Sequence, residues 1–337
     1  MTRRERVIAA LNHQETDIIP YQIDMTHQAW EKMVEFYGDN NFTIGMGNHF
    51  ASVYYDGDNV PIPGKDGYFK DDFGVVWNRN GADKDIGVVE QFLIPEPTME
   101  GYKFPKVPVE RIHERCRYVM EHQVEDKFRL GAIGFSLFER AWTLTGMENL
   151  LEYMITDPDF VVELLDTITA YNMDVMNIFL EYDFDCIHFG DDWGQQQGLI
   201  MGPKLWRKFI KPQLAKMYAL AKDNGRYVSQ HSCGDIQEVY PDLIEIGLNM
   251  HQTFQPEIFD IHKIKSMYGD KLTFWGGIST QRLMPFATPE ELVETAKEIM
   301  QVVGRGGGYI CAPTHGIPGD VPAENIHALI EFMKGQG

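Results

Sequence analysis

Cysteine is scarce in this chain, and long apolar runs are missing from it. The sequence has 337 residues and four cysteines, without the close pairs that would suggest a disulfide framework. It has no run of about 18 apolar residues, and it begins with an amphipathic pattern rather than an apolar leader. We therefore expect no membrane span, no secretion signal and a reducing cytoplasmic location, where the cysteines are thiols or metal ligands.

Positive charge is also in short supply. The 50 acidic residues outnumber the 30 basic ones, which gives a formal net charge of −20 at pH 7. Such a surface repels nucleic acids and anionic lipids, so we expect neither as the main partner. The sequence also has no P-loop and no glycine-rich turn after its first predicted strand, which disfavours an open nucleotide-binding sheet.

Apolar runs and amphipathic helices alternate in most of the chain. The predicted strands cover residues 18–23, 129–135, 186–189, 226–231, 248–252, 271–275 and 309–312. Strands separated by helices form a parallel sheet, and about eight such units predict a (β/α)8 TIM barrel. That count includes one strand within residues 39–108, a range that we otherwise expect to be an irregular insertion. We predict a single domain over residues 1–337.

Two polar segments stand where predicted strands end, which is where TIM barrels carry their active sites. His231 and Cys233 follow one strand, and Cys311 and His315 lie at the end of the last strand or just beyond it. Catalytic zinc has three protein ligands and one open position. We predict that His231, Cys233 and His315 bind zinc, with Cys311 as the alternative third ligand. The structural alternative is a buried Cys233 beside a hydrogen-bonded His231.

A thiol bound to zinc becomes a thiolate near neutral pH, and thiolates accept methyl groups, so the pattern indicates methyl transfer.

Further polar residues near the strand ends complete the predicted site. Asp191 and Asp192 lie in a glycine-rich loop, where they orient ligands or substrate, act as general acid or base, or form a turn or helix cap. Glu139 is a metal ligand or substrate anchor, unless it forms an ion pair with Arg140. We predict Asp191, Asp192 and Glu139 as the catalytic residues. The predicted substrate-binding residues are Trp142, Gln196 and Gln252.

Several segments together resemble one protein superfamily. They are Arg4 to Val7 with Pro20, Asp72 to Trp77, Phe138 to Trp142, Gly190 to Asp192, His231 to Gly234, Trp275 to Ile278, and Ala312 to His315 with Val321 to Asn325. This set resembles the uroporphyrinogen decarboxylase superfamily, and specifically its corrinoid-linked methyltransferases. The resemblance implies a TIM barrel in which a His-x-Cys pair, here His231 and Cys233, and a late cysteine hold zinc. The position of that late cysteine falls at His315. The resemblance also implies that the zinc activates a thiol, which takes a methyl group from a corrinoid protein.

Arginine is missing from residues 20–27, where true decarboxylases of this superfamily carry an arginine-rich segment for the carboxylate arms of their substrate. We therefore expect a zinc-dependent methyltransferase that works between a corrinoid and a small molecule. The corrinoid is cobalamin or is carried by a separate corrinoid protein. The small molecule is a thiol, tetrahydrofolate, or a methoxy or methylamine compound. The alternatives are a metal-free decarboxylase of a tetrapyrrole or small acid, and a non-catalytic corrinoid-binding module.

Overall fold

The structure is a computed structural model that describes residues 1–81, 86–123 and 126–336. Its strands, in chain order, are β1 (Phe50–Tyr55), β2 (Asn59–Pro61), β3 (Tyr68–Asp71), β4 (Val76–Asn78), β5 (Val88–Val89), β6 (Phe128–Ile133), β7 (Cys186–Gly190), β8 (Gly194–Gln195), β9 (Gly198–Leu199), β10 (Tyr227–His231), β11 (Met250–Phe254), β12 (Thr273–Ile278) and β13 (Tyr309–Pro313). Its α-helices are α1 (Arg3–Leu11), α2 (His27–Tyr37), α3 (Val109–His122), α4 (Phe138–Thr145), α5 (Met147–Thr156), α6 (Pro158–Leu180), α7 (Gly202–Leu205), α8 (Lys211–Asp223), α9 (Tyr240–Glu245), α10 (Ile261–Tyr268), α11 (Leu283–Phe286), α12 (Pro289–Val303) and α13 (Ala323–Lys334). None of these helices in the described ranges is long and apolar enough to cross a membrane.

Seven of the strands form one parallel sheet, in the order β1-β6-β7-β10-β11-β12-β13. Neighbouring strands in this order pair in parallel throughout. Parallel neighbours need crossover connections, and helices provide them here. The predicted TIM-type α/β fold is therefore confirmed.

The gap between β13 and β1 is filled by residues 20–25, which we call the closing segment. An isolated parallel bridge joins Tyr21 to Cys311 in β13. On the other side, the backbone N–H of His49, just before β1, donates to the carbonyl oxygen of Tyr21 over 3.1 Å. The closing segment therefore connects the two edges of the sheet and occupies the position of an eighth strand.

Two sequence predictions differ from the structure in detail. The strand predicted over residues 18–23 is reduced to isolated bridges, because Pro20 has no N–H to donate and interrupts regular pairing. The range 39–108 is more regular than predicted, since it contains β1 and a separate antiparallel sheet in the order β2-β3-β4-β5. The strands of this second sheet have two to four residues, which is too short to show a clear alternation in the sequence. One domain over the whole chain stays a prediction.

Helix α1 closes the amino end of the barrel. Thr2 and Glu5 form a reciprocal capping box at its start, as the sequence motif predicts. The helix then buries three apolar side chains, Val7, Ala10 and Leu11, against strand residues that include Phe50, Phe128, Leu130, Met250 and Trp275. Because this cluster fills the amino half of the barrel, open space is left at the carboxyl ends of the strands.

Buried His49, beside the closing segment, makes folding stability depend on pH. Burial, and then the charges of Arg6 and Arg3, lower the pKa of His49 to about 4. Since the unfolded pKa is about 6.5, folding favours the neutral ring, so this stability is complete above pH 6.5 and is lost as the pH falls through 4. We expect His49 to account for about 3 kcal/mol of the stability lost between pH 7 and pH 4. Denaturant unfolding of wild type and His49→Gln checks this, and equal losses in the two proteins would contradict it.

Candidate metal and substrate site

A cavity of about 370 Å³ opens at the carboxyl end of the barrel. Alternate residues of two strands face it, namely Phe50, Ser52 and Tyr54 from β1 and Leu130 and Ala132 from β6. The other residues that line it are Gln22, Asp24, His188, His231, Gln252, Trp275, His315 and Gly316. The volume suits a small organic molecule, and most of the polar side chains lie at strand ends.

His231, Cys233 and Asp192 meet beside this cavity, and we call them the ligand cluster. Nε2 of His231 lies 3.7 Å from Sγ of Cys233 and 3.2 Å from Oδ1 of Asp192. Two ligands of a tetrahedral zinc ion stand about 3.3–3.6 Å apart, given the usual bond lengths. In the described part of the chain, these three residues are the one group of His, Cys, Asp or Glu whose donor atoms all lie within 4.8 Å of one another.

Close backbone packing of two loops assembles the ligand cluster. The backbone N–H of Cys233 donates to Oδ1 of Asp192 over 2.8 Å. A Cβ atom at Gly234 would lie only 2.2 Å from the carbonyl carbon of Gly194, and the φ of +79° at Gly234 also favours glycine. The glycine after Cys233 therefore permits the approach that brings the thiol next to Asp192.

Gln252 orients the ring of His231. Nδ1 of His231 donates to Oε1 of Gln252, which directs Nε2 to the ligand cluster. Burial opposes the charged form of His231, but Cys233 and Asp192 outweigh burial and raise its pKa well above the ordinary value. Burial likewise opposes the charged form of Asp192, whereas the charge and hydrogen bond of His231 bring the pKa of Asp192 down to about 2. The cluster thus stabilises a positive charge at Nε2, where a metal ion could replace the proton.

The other two predicted catalytic acids lie behind the ligand cluster. Burial, and then the negative charges of Asp192 and Asp191, raise the pKa of Glu139 well above its ordinary value. Its carboxyl group is therefore held toward the protonated form. Asp191 is 0% exposed and accepts hydrogen bonds from the backbone N–H groups of Leu137 and Phe138 at the start of α4. Asp191 thus caps α4, the helix that carries Glu139, and helix capping was one of the roles that the sequence left open for Asp191. Asp191 is not among the residues that line the described cavity.

The three predicted substrate-binding residues lie in different places. Gln252 lines the cavity, and its role in substrate binding stays a prediction. Gln196 is exposed at the turn between β8 and β9, and Trp142 packs against the hydrophobic core from α4. In the described ranges, neither of these two side chains lines the cavity.

The two candidates for the third metal ligand have different surroundings. His315 lines the cavity, and its ring centroid lies 6.0 Å from that of His231. Cys311 is buried within the core, where burial raises the pKa of its thiol to about 12, and it is not among the described residues that line the cavity. The geometry therefore favours His315 over Cys311. It also adds Asp192, which the sequence predicts as a catalytic residue, as a candidate ligand.

Asp24, Tyr54 and His188 are not among the site residues that the sequence predicts. All three line the cavity. His188 has its Nδ1 2.9 Å from Oγ of Ser229, and burial, followed by the charge of His231, lowers its pKa to about 3, so its ring is neutral. The alternation of side chains along β1 could have predicted that Tyr54 faces the barrel interior. That strand, however, lies in the range that we expected to be irregular.

Comparisons with known proteins find relatives of two kinds. The sequence profile of the uroporphyrinogen decarboxylase family matches residues 83–336. A uroporphyrinogen decarboxylase of Chlorobium phaeovibrioides is 24% identical over 288 residues, which cover 78% of this chain and 77% of that protein. A methylated-thiol–coenzyme M methyltransferase of Methanosarcina mazei is 22% identical over 197 residues, which cover 58% of this chain and 50% of that protein.

Solved structures share the fold along nearly the whole chain. A methyltransferase from Methanosarcina mazei superposes with a TM-score of 0.73 at 20% identity and covers 99% of this chain and 98% of that one. A putative vitamin-B12 independent methionine synthase from Listeria monocytogenes superposes with a TM-score of 0.51 at 10% identity, covering 95% and 96% of the two chains. At these identities the likeness concerns the fold alone.

Proposed function

The chain belongs to the uroporphyrinogen decarboxylase family, and we propose that within this family it is a zinc-dependent methyltransferase. It moves a methyl group between a corrinoid and a thiol, tetrahydrofolate, or a methoxy or methylamine compound. The observation that carries this proposal is the ligand cluster beside the barrel cavity. A methyltransferase among the sequence relatives supports it.

The donor set of the ligand cluster suits zinc. Imidazole nitrogen and thiolate sulfur are ligands that zinc prefers, and the separation of Nε2 and Sγ agrees with a tetrahedral ion. His231 and Cys233 would bind the metal, with His315 as our proposed third ligand and Asp192 as the alternative. Zinc would lower the pKa of a thiol or water bound to it, which supplies a nucleophile near neutral pH.

The protein's own groups prepare this chemistry. Oε1 of Gln252 accepts a hydrogen bond from Nδ1–H of His231 and so fixes the ring with Nε2 toward the ligand cluster. Asp192 accepts the backbone N–H of Cys233 and positions the thiol. Glu139 is held toward its protonated form behind the ligand cluster and is not among the described residues that line the cavity, so its role as a proton donor stays a prediction.

The corrinoid would come from outside this chain. The sequence contains no Asp-x-His-x-x-Gly segment, the pattern of corrinoid-binding modules. We therefore propose a separate corrinoid protein or free cobalamin as the partner that meets the open carboxyl end of the barrel. A cytoplasmic location agrees with a site that depends on a reduced thiol.

Decarboxylation is the second candidate, because a relative that bears this name covers 78% of the chain. A substrate with several carboxylates needs cationic partners in its pocket. Among the described residues, no lysine or arginine lines the cavity. This observation favours the methyltransferase over the decarboxylase.

Removal and restoration of the metal test the proposed function. We expect about one zinc per chain by elemental analysis. We also expect loss of methylcobalamin, followed by its visible absorbance, when a panel of thiols and tetrahydrofolate is added. A chelator should stop this reaction, and added zinc should restore it. Methyl transfer that continues without metal, or a protein that binds no zinc, would overturn the proposal, and metal-free release of carbon dioxide from a carboxylated tetrapyrrole would favour the second candidate.

Loss of Gln252 should weaken zinc binding without removing a ligand. In Gln252→Leu, the Nδ1–H of His231 loses its acceptor, so the ring is no longer held with Nε2 toward the ligand cluster. Removal of such an outer partner typically lowers metal affinity about 10–100-fold. Competition with a chromophoric chelator measures the change. Gln196→Leu is the matched control, since Gln196 is exposed, and an equal effect of both variants would refute the role of Gln252.

A further inference from the structure

The barrel cavity contains a carboxylate without a positively charged partner. Asp24 lines the cavity, and within the described ranges its side chain forms no ion pair and bonds only to Gln22. The Asp24 side chain is exposed to solvent where it lines the cavity, and partial desolvation by the protein around its carboxyl group raises its pKa. A cation in the cavity would stabilise the ionised form of this carboxyl group, because an opposite charge nearby favours the carboxylate.

Two successive hydrogen bonds through the buried side chain of Gln22 hold Asp24 in one orientation. Gln22 is 8% exposed, and its Oε1 accepts the backbone N–H of Phe50 over 3.2 Å. With the carbonyl oxygen fixed in this way, the amide Nε2 of Gln22 donates to Oδ1 of Asp24 over 2.8 Å. One carboxylate oxygen is thus occupied by the protein, and the other is left for a ligand.

Aromatic rings line the same cavity. They belong to Phe50, Tyr54 and Trp275, and the ring centroids of Phe50 and Trp275 lie 4.6 Å apart. Trp275 is 7% exposed, and its Nε1 has no hydrogen-bond partner among the described residues. Aromatic faces attract cations, and cages of several rings are a common way to bind methylated ammonium groups.

We propose that the cavity binds a small methylated onium ion, an ammonium or a sulfonium, as the methyl-bearing substrate. Asp24 is the counter-ion, and the neighbouring rings of Phe50 and Trp275 contact the methyl groups. The role as substrate rests on the proposed function, whereas binding does not. The net charge of −20 and the lack of lysine or arginine along the described lining favour a cation at Asp24, and His231, which lines the same cavity, has its positive charge balanced by Asp192.

Titration calorimetry of the purified protein with choline and its uncharged isostere 3,3-dimethylbutan-1-ol tests this assignment. We expect choline to bind about 10-fold more tightly than the isostere, because both fill the same space and only choline carries the charge. Trimethylsulfonium should bind like choline, and 2-mercaptoethanesulfonate should bind more weakly than either. Equal affinities for choline and the isostere would overturn the assignment.

Asp24→Asn separates the role of the charge from the role of shape. We expect it to lower the affinity for choline about 10-fold and to leave the isostere unchanged, since the amide keeps the size but not the charge. Glu298→Gln removes one negative charge from an exposed position on α12 and should change neither affinity. If Asp24→Asn unfolds, Phe50→Leu serves instead, with the same expected order of the two ligands and a smaller loss. Unchanged choline binding in the folded variants would refute the site.

The two proposals fail in different experiments. Binding of choline without any methyl transfer from choline or methylcobalamin would reject the proposed function and keep the cation site. Methyl transfer to a thiol by a protein that binds no onium ion would keep the function and reject the cation site.

Discussion

Cys233→Ala should remove the bound zinc and lower the rate of methyl transfer at least ~100-fold. The thiol lies 3.7 Å from Nε2 of His231 and is the softest donor of the ligand cluster. Loss of an outer hydrogen-bond partner of a metal ligand already lowers affinity about 10–100-fold, so loss of a ligand should exceed that range. Elemental analysis of the purified variant and the methylcobalamin assay measure the two effects.

The matched control for this change is Cys116→Ala. Cys116 is a buried thiol on α3 and does not line the described cavity, so we expect full zinc content and unchanged turnover from this variant. A Cys233→Ala protein that keeps its zinc and its rate would show that the metal, if bound, lies elsewhere. Inactivity of both variants would indicate general loss of fold, which thermal unfolding distinguishes.

Arg140→Met should lower the free energy of unfolding by about 3–5 kcal/mol, the usual effect of removing one partner of a buried ion pair. Arg140 and Asp71 are both almost fully buried and lie 2.8 Å apart. The guanidinium also donates to the carbonyl oxygen of Asp56 over 2.6 Å and stands 3.9 Å from the ring centroid of Phe73. Without it, the buried carboxyl group of Asp71 loses its positively charged partner. Denaturant unfolding followed by circular dichroism measures the loss.

A double variant tests the electrostatic part of this argument. Adding Asp71→Asn to Arg140→Met removes the lone buried charge, so we expect the double variant to recover part of the lost stability. Lys297→Ala breaks an exposed pair with Glu294 and should change stability by less than about 1 kcal/mol. A double variant less stable than Arg140→Met alone would mean that packing against Phe73, rather than charge, dominates.

The sequence was most informative where chemistry coincides with the end of a regular strand. His231, Cys233 and Gln252 lie where the alternation of strands and helices predicts, since parallel strands bring their carboxyl ends to one side of the sheet. Asp24 could not be found in this way, because Pro20 interrupts the strand pattern before it. Tyr54 was hidden because β1 lies in a stretch of short and irregular elements.

The sequence also could not predict the direction in which a side chain in an irregular loop points. Asp191 and Asp192 are adjacent and of one residue type, yet one caps α4 and the other joins the ligand cluster. The choice depends on the loop that carries them, and no periodicity describes that loop. Gln196 was predicted as a substrate contact because its amide can hydrogen-bond to a polar substrate, and the structure places it, exposed, in the turn between β8 and β9.

The closing segment has a consequence for the order in which the parts of the protein can fold during synthesis. Tyr21 pairs with Cys311, so a piece of chain synthesised near the beginning waits for a partner synthesised near the end. At typical rates of protein synthesis this interval is roughly 15–60 s. During that time β1 and the strands after it can form. The closing segment, which carries Asp24, can then pair with β1 but not yet with β13. The nascent chain therefore carries an open sheet edge on the ribosome, and the cavity is completed only when the last strand emerges.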